Sequence, residues 1–516
     1  MNRSGFLGID AGTQGLSVIF TDDQLRILGH GEGRYDMVPG LGPDCYEQRP
    51  ADWEAALGAA MRQLRERLAA AGSGMDVRGI GISGQMHGEV LAGSDDAPLA
   101  PARLWCDARN EAEGHELTAL FGVKVPKRMT VARWLWTIRQ RPELAARTAR
   151  ITTPAGWIAR LLTGRFTLGI GDASGMFPVD QATLGYDAKL LAAFDALVAR
   201  EPGRPRLPPL GELLPAVRRA GADGGTLDAR GAAILGLPQG IPVAPAEGDQ
   251  PAALAGSLIA APGLVAMSFG TSVVANAVGD RPFRGISRAI DHFCAPDGRP
   301  INMVFLRNGT TAMNAVVEMF GRAAAGGDAF AAVMPQLLAA ADDCGGLAAL
   351  PFMDDEPGLG VSHGGSAGVI GLNPTNATPG NVAKAMLLAT IFNLRMGSSE
   401  LDEQGFPRTE IVLSGGITKT PALGQILADA FKTPVALLDG ATEGTARGAA
   451  LLAAYRHAEL AGKSCPWAEF LARHATDTPT RFTPRPAAAA VLDRGYKRHR
   501  RLVALHGQLS GEAGPG

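Results

Sequence analysis

The chain has 516 residues, more than one hydrophobic core ordinarily serves, so two domains are expected. Lys and Arg number 49 against 51 Asp and Glu, a net charge of −2 that gives no electrostatic footprint for nucleic acid or an anionic membrane. Five widely spaced cysteines (Cys45, Cys106, Cys294, Cys344, Cys465) form no CxxC pair, which argues against a disulfide framework or zinc site and suits a reducing compartment. Met1–Ser4 leads straight into a strand without a signal peptide, and no apolar run reaches the ~18 residues of a membrane span. A cytoplasmic location is the expectation.

In chain order, strands at Phe6–Ile9 and Leu16–Thr21 flank the turn Gly8-Ile9-Asp10-Ala11-Gly12-Thr13-Gln14-Gly15. A Gly-rich tip exposes backbone N–H groups and the threonine adds a hydroxyl, so such a hairpin can grip phosphate oxygens. Residues Asp52–Ala71 predict an amphipathic helix, with Trp53, Leu57, Met61, Leu64 and Leu68 on one stripe. Val77–Ser83 is a strand running into Gly84-Gln85-Met86-His87-Gly88. Helices follow over Trp134–Arg139 and Gly156–Leu162, then a Pro-rich surface loop over Glu201–Pro209.

Near Pro242–Asp249 the pattern restarts. Met267-Ser268-Phe269-Gly270-Thr271-Ser272 makes a second Gly-Thr hairpin tip, and a β-α-β-α run follows: strand Ile411–Leu413, helix Pro421–Phe431, strand Val435–Leu438, helix Glu443–His457. The doubling predicts a two-lobed α/β protein with a cleft between the lobes. The expected divisions are 1–244, 245–490 and a C-terminal helix and tail over 491–516. The tail is expected to fray from Ser510, and Lys497–Arg501 to be a solvated basic face. Gly79-Ile80-Gly81-Ile82-Ser83-Gly84 satisfies G-x-G-x-x-G but lies inside a strand, and Gly462-Lys463-Ser464 lacks the glycine of a Walker A loop. Neither reads as a nucleotide site.

The segments GIDAGTQG (8–15), GISGQMHG (81–88), LWCDAR (104–109), GDASG (171–175), EGDQPAALAG (247–256), MSFGTS (267–272), LSGGITKT (413–420) and EGTARGAALLA (443–453) together resemble the FGGY family of carbohydrate kinases, most closely its xylulokinase branch. The resemblance implies an actin-like, ribonuclease-H-like ATPase fold with sugar and ATP in the interdomain cleft. It also implies transfer of the γ-phosphate of MgATP to a sugar hydroxyl, with D-xylulose the leading substrate.

Asp10, at a strand end beside the first turn, is either a Mg²⁺ carboxylate or an acid satisfying hairpin donors. The resemblance implies the metal. Asp249 reads as a helix N-cap or as the general base that takes the sugar hydroxyl's proton, and the resemblance implies the base. Gln85 and His87 carry groups suited to hydroxyls, with a structural histidine as the alternative; the resemblance implies a sugar pocket along Gln85, Met86 and His87. Trp105, Asp107, Arg109 and Asp172 are candidate pocket-wall groups, Trp105 equally a core residue, with Arg128 and Gln250 as further sugar contacts. Gly12, Thr13, Gly270 and Thr271 are assigned to phosphate, and Gly415, Gly416 and Lys419 to the nucleotide.

Three departures stand out from the family pattern. Ser17 replaces a common Lys or Arg, Ile417 a third glycine, and Asp355-Glu356-Pro357-Gly358 a Gly-Glu-Arg-Thr-Pro run. The resemblance implies ATP and Mg²⁺ as cofactors and a small sugar as partner, with a homodimer left open. Ribulose, sedoheptulose, gluconate or glycerol kinase, a non-kinase actin-like ATPase and a sugar-sensing pseudokinase are the alternatives.

Overall fold

The computed structural model describes residues 2–322, 328–437, 444–475 and 479–512. Two mixed β-sheets, one in each half, carry the architecture. The first has the spatial order Glu247–Gly248, Gly74–Gly84, Asn2–Ala11, Gly15–Asp22, Ile27–Arg34. The last three strands form an antiparallel meander, and the first two run parallel to Asn2–Ala11. The second sheet is ordered Ile290–Cys294, Pro300–Leu306, Val273–Val278, Leu264–Phe269, Glu410–Gly415, Val435–Leu437, Thr480–Phe482. Without its two outer strands it repeats the first: a meander, then two strands parallel to the meander's opening strand. In both sheets the Gly-Thr tip joins the first two strands, as their flanking apolar runs predict. This is the two-domain actin-like ATPase architecture.

Both faces of the first sheet are covered. Helix Pro50–Ala70 packs on the meander, with Trp53, Leu57, Met61, Leu64 and Leu68 all buried, so the predicted stripe is its inner face. The other face receives helix Gly444–Leu460 from the far end of the chain. That helix lies so close that a Cβ at Gly81 would sit 1.7 Å from the carbonyl oxygen of Ala449, and one at Gly8 2.1 Å from that of Ala446. Helix Asp249–Gly256 crosses it equally tightly: a Cβ at Gly448 would meet the Ala252 carbonyl oxygen at 1.8 Å. Side chains larger than hydrogen would force the backbones apart. The second half of the chain is thus stapled onto the first lobe directly beneath Asp10 and Asp249.

Strand Glu247–Gly248, three residues past the boundary expected at Ala244, pairs with Gly74–Gly84 in the first sheet. The C-terminal helix runs Pro486–Glu512, through the point where fraying was expected. Within its basic run the exposed residues are Lys497, Arg498, Arg500 and Arg501. His499 instead turns inward beside Leu492, Tyr496 and Val503, where Asn393 and the Ala349 carbonyl bond to its ring. Leu438, Glu443 and residues 513–516 lie outside the described residues.

Candidate active site

The first turn is held from several sides. Tyr35 donates its hydroxyl to the carbonyls of Gly12 and Gly15, and Gln48 Nε2 donates to the Thr13 carbonyl at 2.7 Å. The Thr13 hydroxyl accepts from Trp105 Nε1 at 3.0 Å and donates to Gln85 Oε1 at 3.3 Å, while Gln85 Nε2 donates to Gln48 Oε1 at 2.9 Å. The hydroxyl expected to meet phosphate is therefore engaged in bracing the turn. Gln85, expected in the sugar pocket, is buried with both ends of its amide committed.

What this turn offers outward is backbone, along a cavity of about 620 Å³ lined by Asp10, Gln14, Gly15, Ser17, Arg34 and the start of helix Gly444–Leu460. Ser17 faces Asp10 in register, and the cation of this cavity comes instead from the neighbouring strand, as Arg34. Ser83 donates to Asp10 Oδ1 at 3.1 Å. Among the described residues no cluster of three or more His, Cys, Asp or Glu side chains is placed to hold a metal. Asp10, on a phosphate-sized cavity that Glu32 and Asp36 also line, fits Mg²⁺, which commonly takes one or two carboxylates with water and phosphate oxygens.

Asp249 opens helix Asp249–Gly256, and its Oδ1 accepts from the backbone N–H of Gln250 at 2.8 Å. Burial, then the charge of Asp10, push its pKa up to about 7, against hydrogen bonds from the Gln250 and Met86 backbones. Behind it lie two carboxyls that sequence reasoning did not link. Asp172 is fully buried; Thr153 donates to its Oδ2, and its Oδ1 has no hydrogen-bond partner among the described residues. Glu247, also buried, accepts from the backbone N–H groups of Gly171 at 3.3 Å and Asp172 at 2.9 Å. Burial raises both pKa values, and each is raised further by a neighbouring carboxyl, Asp249 for Asp172 and Asp172 for Glu247. Like charges crowded at low dielectric do not all ionise, so the row Asp10–Asp249–Asp172–Glu247 leaves Asp249 poised to take a proton near neutrality.

His87 adopts φ +66°, the left-handed region that few non-glycine residues occupy. Its ring is buried, tilted against Phe293 at 5.3 Å, with Nδ1 2.9 Å from the Gly175 carbonyl. A carbonyl only accepts, so Nδ1 carries the hydrogen and Nε2 remains an acceptor. Burial, then Arg128's charge, hold its pKa well below the usual imidazole value, so the ring is neutral at pH 7.

Arg133, absent from the sequence reading, anchors this segment. Fully buried, it donates to the carbonyls of His87 (3.1 Å), Trp105 (2.9 Å) and Asp107 (3.3 Å) and also to that of Arg128. One guanidinium thus gathers three backbone segments, at His87, Trp105–Asp107 and Arg128. Nothing in the spacing marks it, since its partners are carbonyls as far as 46 residues away in sequence.

Arg128, expected to reach a sugar hydroxyl, forms an ion pair with Asp291 on the second sheet, as does Lys124 at 2.8 Å, so these cations tie the lobes together. Trp105 is 40% exposed and so is no core residue. Arg109 forms ion pairs with both Asp107 and Glu47, so the two candidate wall groups are spent on each other. Met86 packs its side chain with Phe293 and Met303, leaving its backbone N–H for Asp249. Gln250 Oε1 accepts from Asn276 Nδ2 at 3.0 Å.

Around the second turn lies a cavity of about 730 Å³, lined by Gly270, Thr271, Thr310, Asn314, Gly416, Ile417, Lys419 and Thr420, with Met313, Phe330, Met334, Leu338 and Leu423 as apolar wall. An apolar slot ending in small residues and hydroxyls fits a nucleoside with its phosphates. Gly415 has φ +84°, and a Cβ there would lie 3.0 Å from the Phe269 carbonyl oxygen, so it brings two strand ends together at the cavity edge. Gly309-Thr310 folds over the turn, with the Thr310 N–H bonded to the Gly270 carbonyl at 2.8 Å. Asn308 is held in turn by buried Glu356, which accepts from its backbone N–H at 3.0 Å and from its Nδ2 at 3.1 Å. The glutamate kept in the departing loop thus braces the second turn. Ile417, in place of a third glycine, is cavity wall.

Models of the FGGY family of carbohydrate kinases match its N-terminal domain to residues 6–256 and its C-terminal domain to residues 265–457. The chain is 28% identical to the xylulose kinase of Haemophilus influenzae, over 88% of this chain and 91% of that protein. It is 27% identical to the ribulokinase of Mycolicibacterium smegmatis, over 93% and 90%. Among solved structures, the xylulose kinase from Rhodospirillum rubrum shares the fold with a TM-score of 0.83 at 24% identity, covering 98% of this chain and 99% of that one.

Proposed function

The chain belongs to the FGGY family of carbohydrate kinases, and from that premise we propose that it phosphorylates D-xylulose with ATP to give D-xylulose 5-phosphate. Sugar phosphotransfer with ATP is the family's activity. The ketose and the residue roles are this proposal. The observation that carries it is the setting of Asp249: a carboxylate of raised pKa that feels the charge of Asp10 and accepts from the Met86 backbone, next in sequence to buried, neutral His87.

The terminal sugar hydroxyl attacks the γ-phosphorus, its proton passes to Asp249, and the bond from phosphorus to the β-bridging oxygen breaks to release ADP. The backbone of Gln14 and Gly15 and the Gly270-Thr271 turn hold phosphate oxygens. His87 Nε2 accepts from a sugar hydroxyl. Asp10 would hold Mg²⁺, which supplies charge neutralisation at the phosphates. Closure of the lobes excludes water and limits idle hydrolysis.

A second reading, a kinase for another ketose such as ribulose, is supported by the 27% identity to a ribulokinase. Five free cysteines and dependence on ATP suit the cytoplasm, and no described helix is long and apolar enough to cross a membrane. Homodimer formation is a proposal for light scattering to decide.

The test is ATP consumption against xylulose, ribulose, sedoheptulose, gluconate and glycerol, with the product identified by phosphorus NMR. Xylulose should give the highest kcat/KM. Preference for another sugar would overturn the substrate, and absence of any sugar-dependent turnover would overturn the activity.

A further inference from the structure

Strand Val273–Val278 places Val274, Asn276 and Val278 on one face. Val274 and Val278 belong to an apolar cluster with Met86 and Leu254, so this face of the second sheet is turned toward the first lobe, at Asp249. Asn276, polar among these neighbours, is only 5% exposed. Its Nδ2 donates to Gln250 Oε1 at 3.0 Å, while its Oδ1 has no hydrogen-bond partner among the described residues. A buried carbonyl with unused capacity is costly unless a ligand meets it. One hydrogen bond between two carboxamides consumes one carbonyl and one N–H. Whichever way the two amides are turned, a carbonyl and an NH₂ group remain. That pair matches a secondary alcohol, which both donates and accepts.

We propose that Asn276 is a substrate-recognition residue. Together with Gln250 it binds a secondary hydroxyl of the sugar beside the end that Asp249 deprotonates. This rests on the sugar-kinase reading above and adds to it a contact from the second lobe. Because Asn276 stands on the second sheet and His87 and Asp249 on the first, a sugar held by all three spans the cleft. The hydroxyl pattern of the substrate is then read in the closed state, where phosphoryl transfer occurs.

The test compares wild type with Asn276→Leu, of the same branched shape but without polar atoms, on the parent ketose and on analogues each lacking one secondary hydroxyl. In wild type one analogue should be used about tenfold less well than the parent, the scale of one lost hydrogen bond. In Asn276→Leu the parent should fall about tenfold in kcat/KM and the gap to that analogue should close, with KM for ATP within about twofold. A purely structural asparagine would lower all substrates together and leave the gap open. Binding of a non-hydrolysable ATP analogue verifies folding. Should the leucine variant fail it, Asn276→Ala, which only removes atoms, serves the same comparison. Wild-type turnover of the parent establishes the kinase reading independently, so an unaltered gap in an active variant overturns this inference alone.

Discussion

Replacing Asp249 by asparagine keeps the side chain's shape and its acceptor for the Gln250 N–H, and removes the proton acceptor. Loss of a positioned general base costs about 10²-fold or more in turnover, or at least about 2.7 kcal/mol of barrier. The same substitution should stabilise the protein. Asp249 has a folded pKa of about 7 against an ordinary 3.8, so its ionisation opposes folding. Below the unfolded value both states carry the proton and no penalty exists. The penalty grows as pH rises and is complete above about 7. At about 1.36 kcal/mol per unit its ceiling is about 4 kcal/mol, which partial solvation of the side chain reduces to about 1–2 kcal/mol. Thermal melts with EDTA and without nucleotide should therefore show Asp249→Asn above wild type by ~2–4 °C at pH 8, with the difference vanishing near pH 4. A variant that melts below wild type at pH 8, or that turns over within threefold of it, would refute the assignment.

For the same reason kcat/KM for the sugar should fall about tenfold per unit as pH drops below about 7, where Asp249 takes up its proton; a flat profile from pH 5.5 to 8 contradicts the base role. Asp10→Asn should raise the Mg²⁺ concentration needed for half-maximal rate while sparing sugar affinity, and an unchanged metal titration would count against it. Glu356→Ala leaves the Asn308 N–H unpaired behind the second turn, so KM for ATP should rise about tenfold with little change for sugar. Gly448→Val drives a side chain into the Ala252 carbonyl oxygen, 1.8 Å from the Cβ position, and should lower Tm sharply; a wild-type melt would show that the contact between these two helices is looser than described.

Local patterns were the legible part of this chain. Gly-Thr between apolar runs foretold both hairpins, and the Trp53-to-Leu68 stripe foretold the face that helix Pro50–Ala70 buries. What one sequence did not disclose depends on distant partners. Gln85 and Thr13 offer the groups a ligand would use, yet the fold spends them on each other and on Trp105 and Gln48. Arg128 finds Asp291, 163 residues away. Asp172 and Glu247 become one buried carboxyl pair only when helix Ile170–Met176 meets strand Glu247–Gly248. One signal was available: glycine and alanine recur through 444–454, the spacing of a helix that presses backbone to backbone, and it marks where this helix meets the first sheet and helix Asp249–Gly256.

A structure with the preferred ketose and a non-hydrolysable ATP analogue tests the central claim most directly. The account predicts the phosphoryl-accepting hydroxyl within ~3.2 Å of the Asp249 carboxylate and in line with the γ-phosphorus, with the adenosine in the cavity beside Gly416 and Lys419. A sugar seated with Asp249 out of hydrogen-bond reach of that hydroxyl would contradict it.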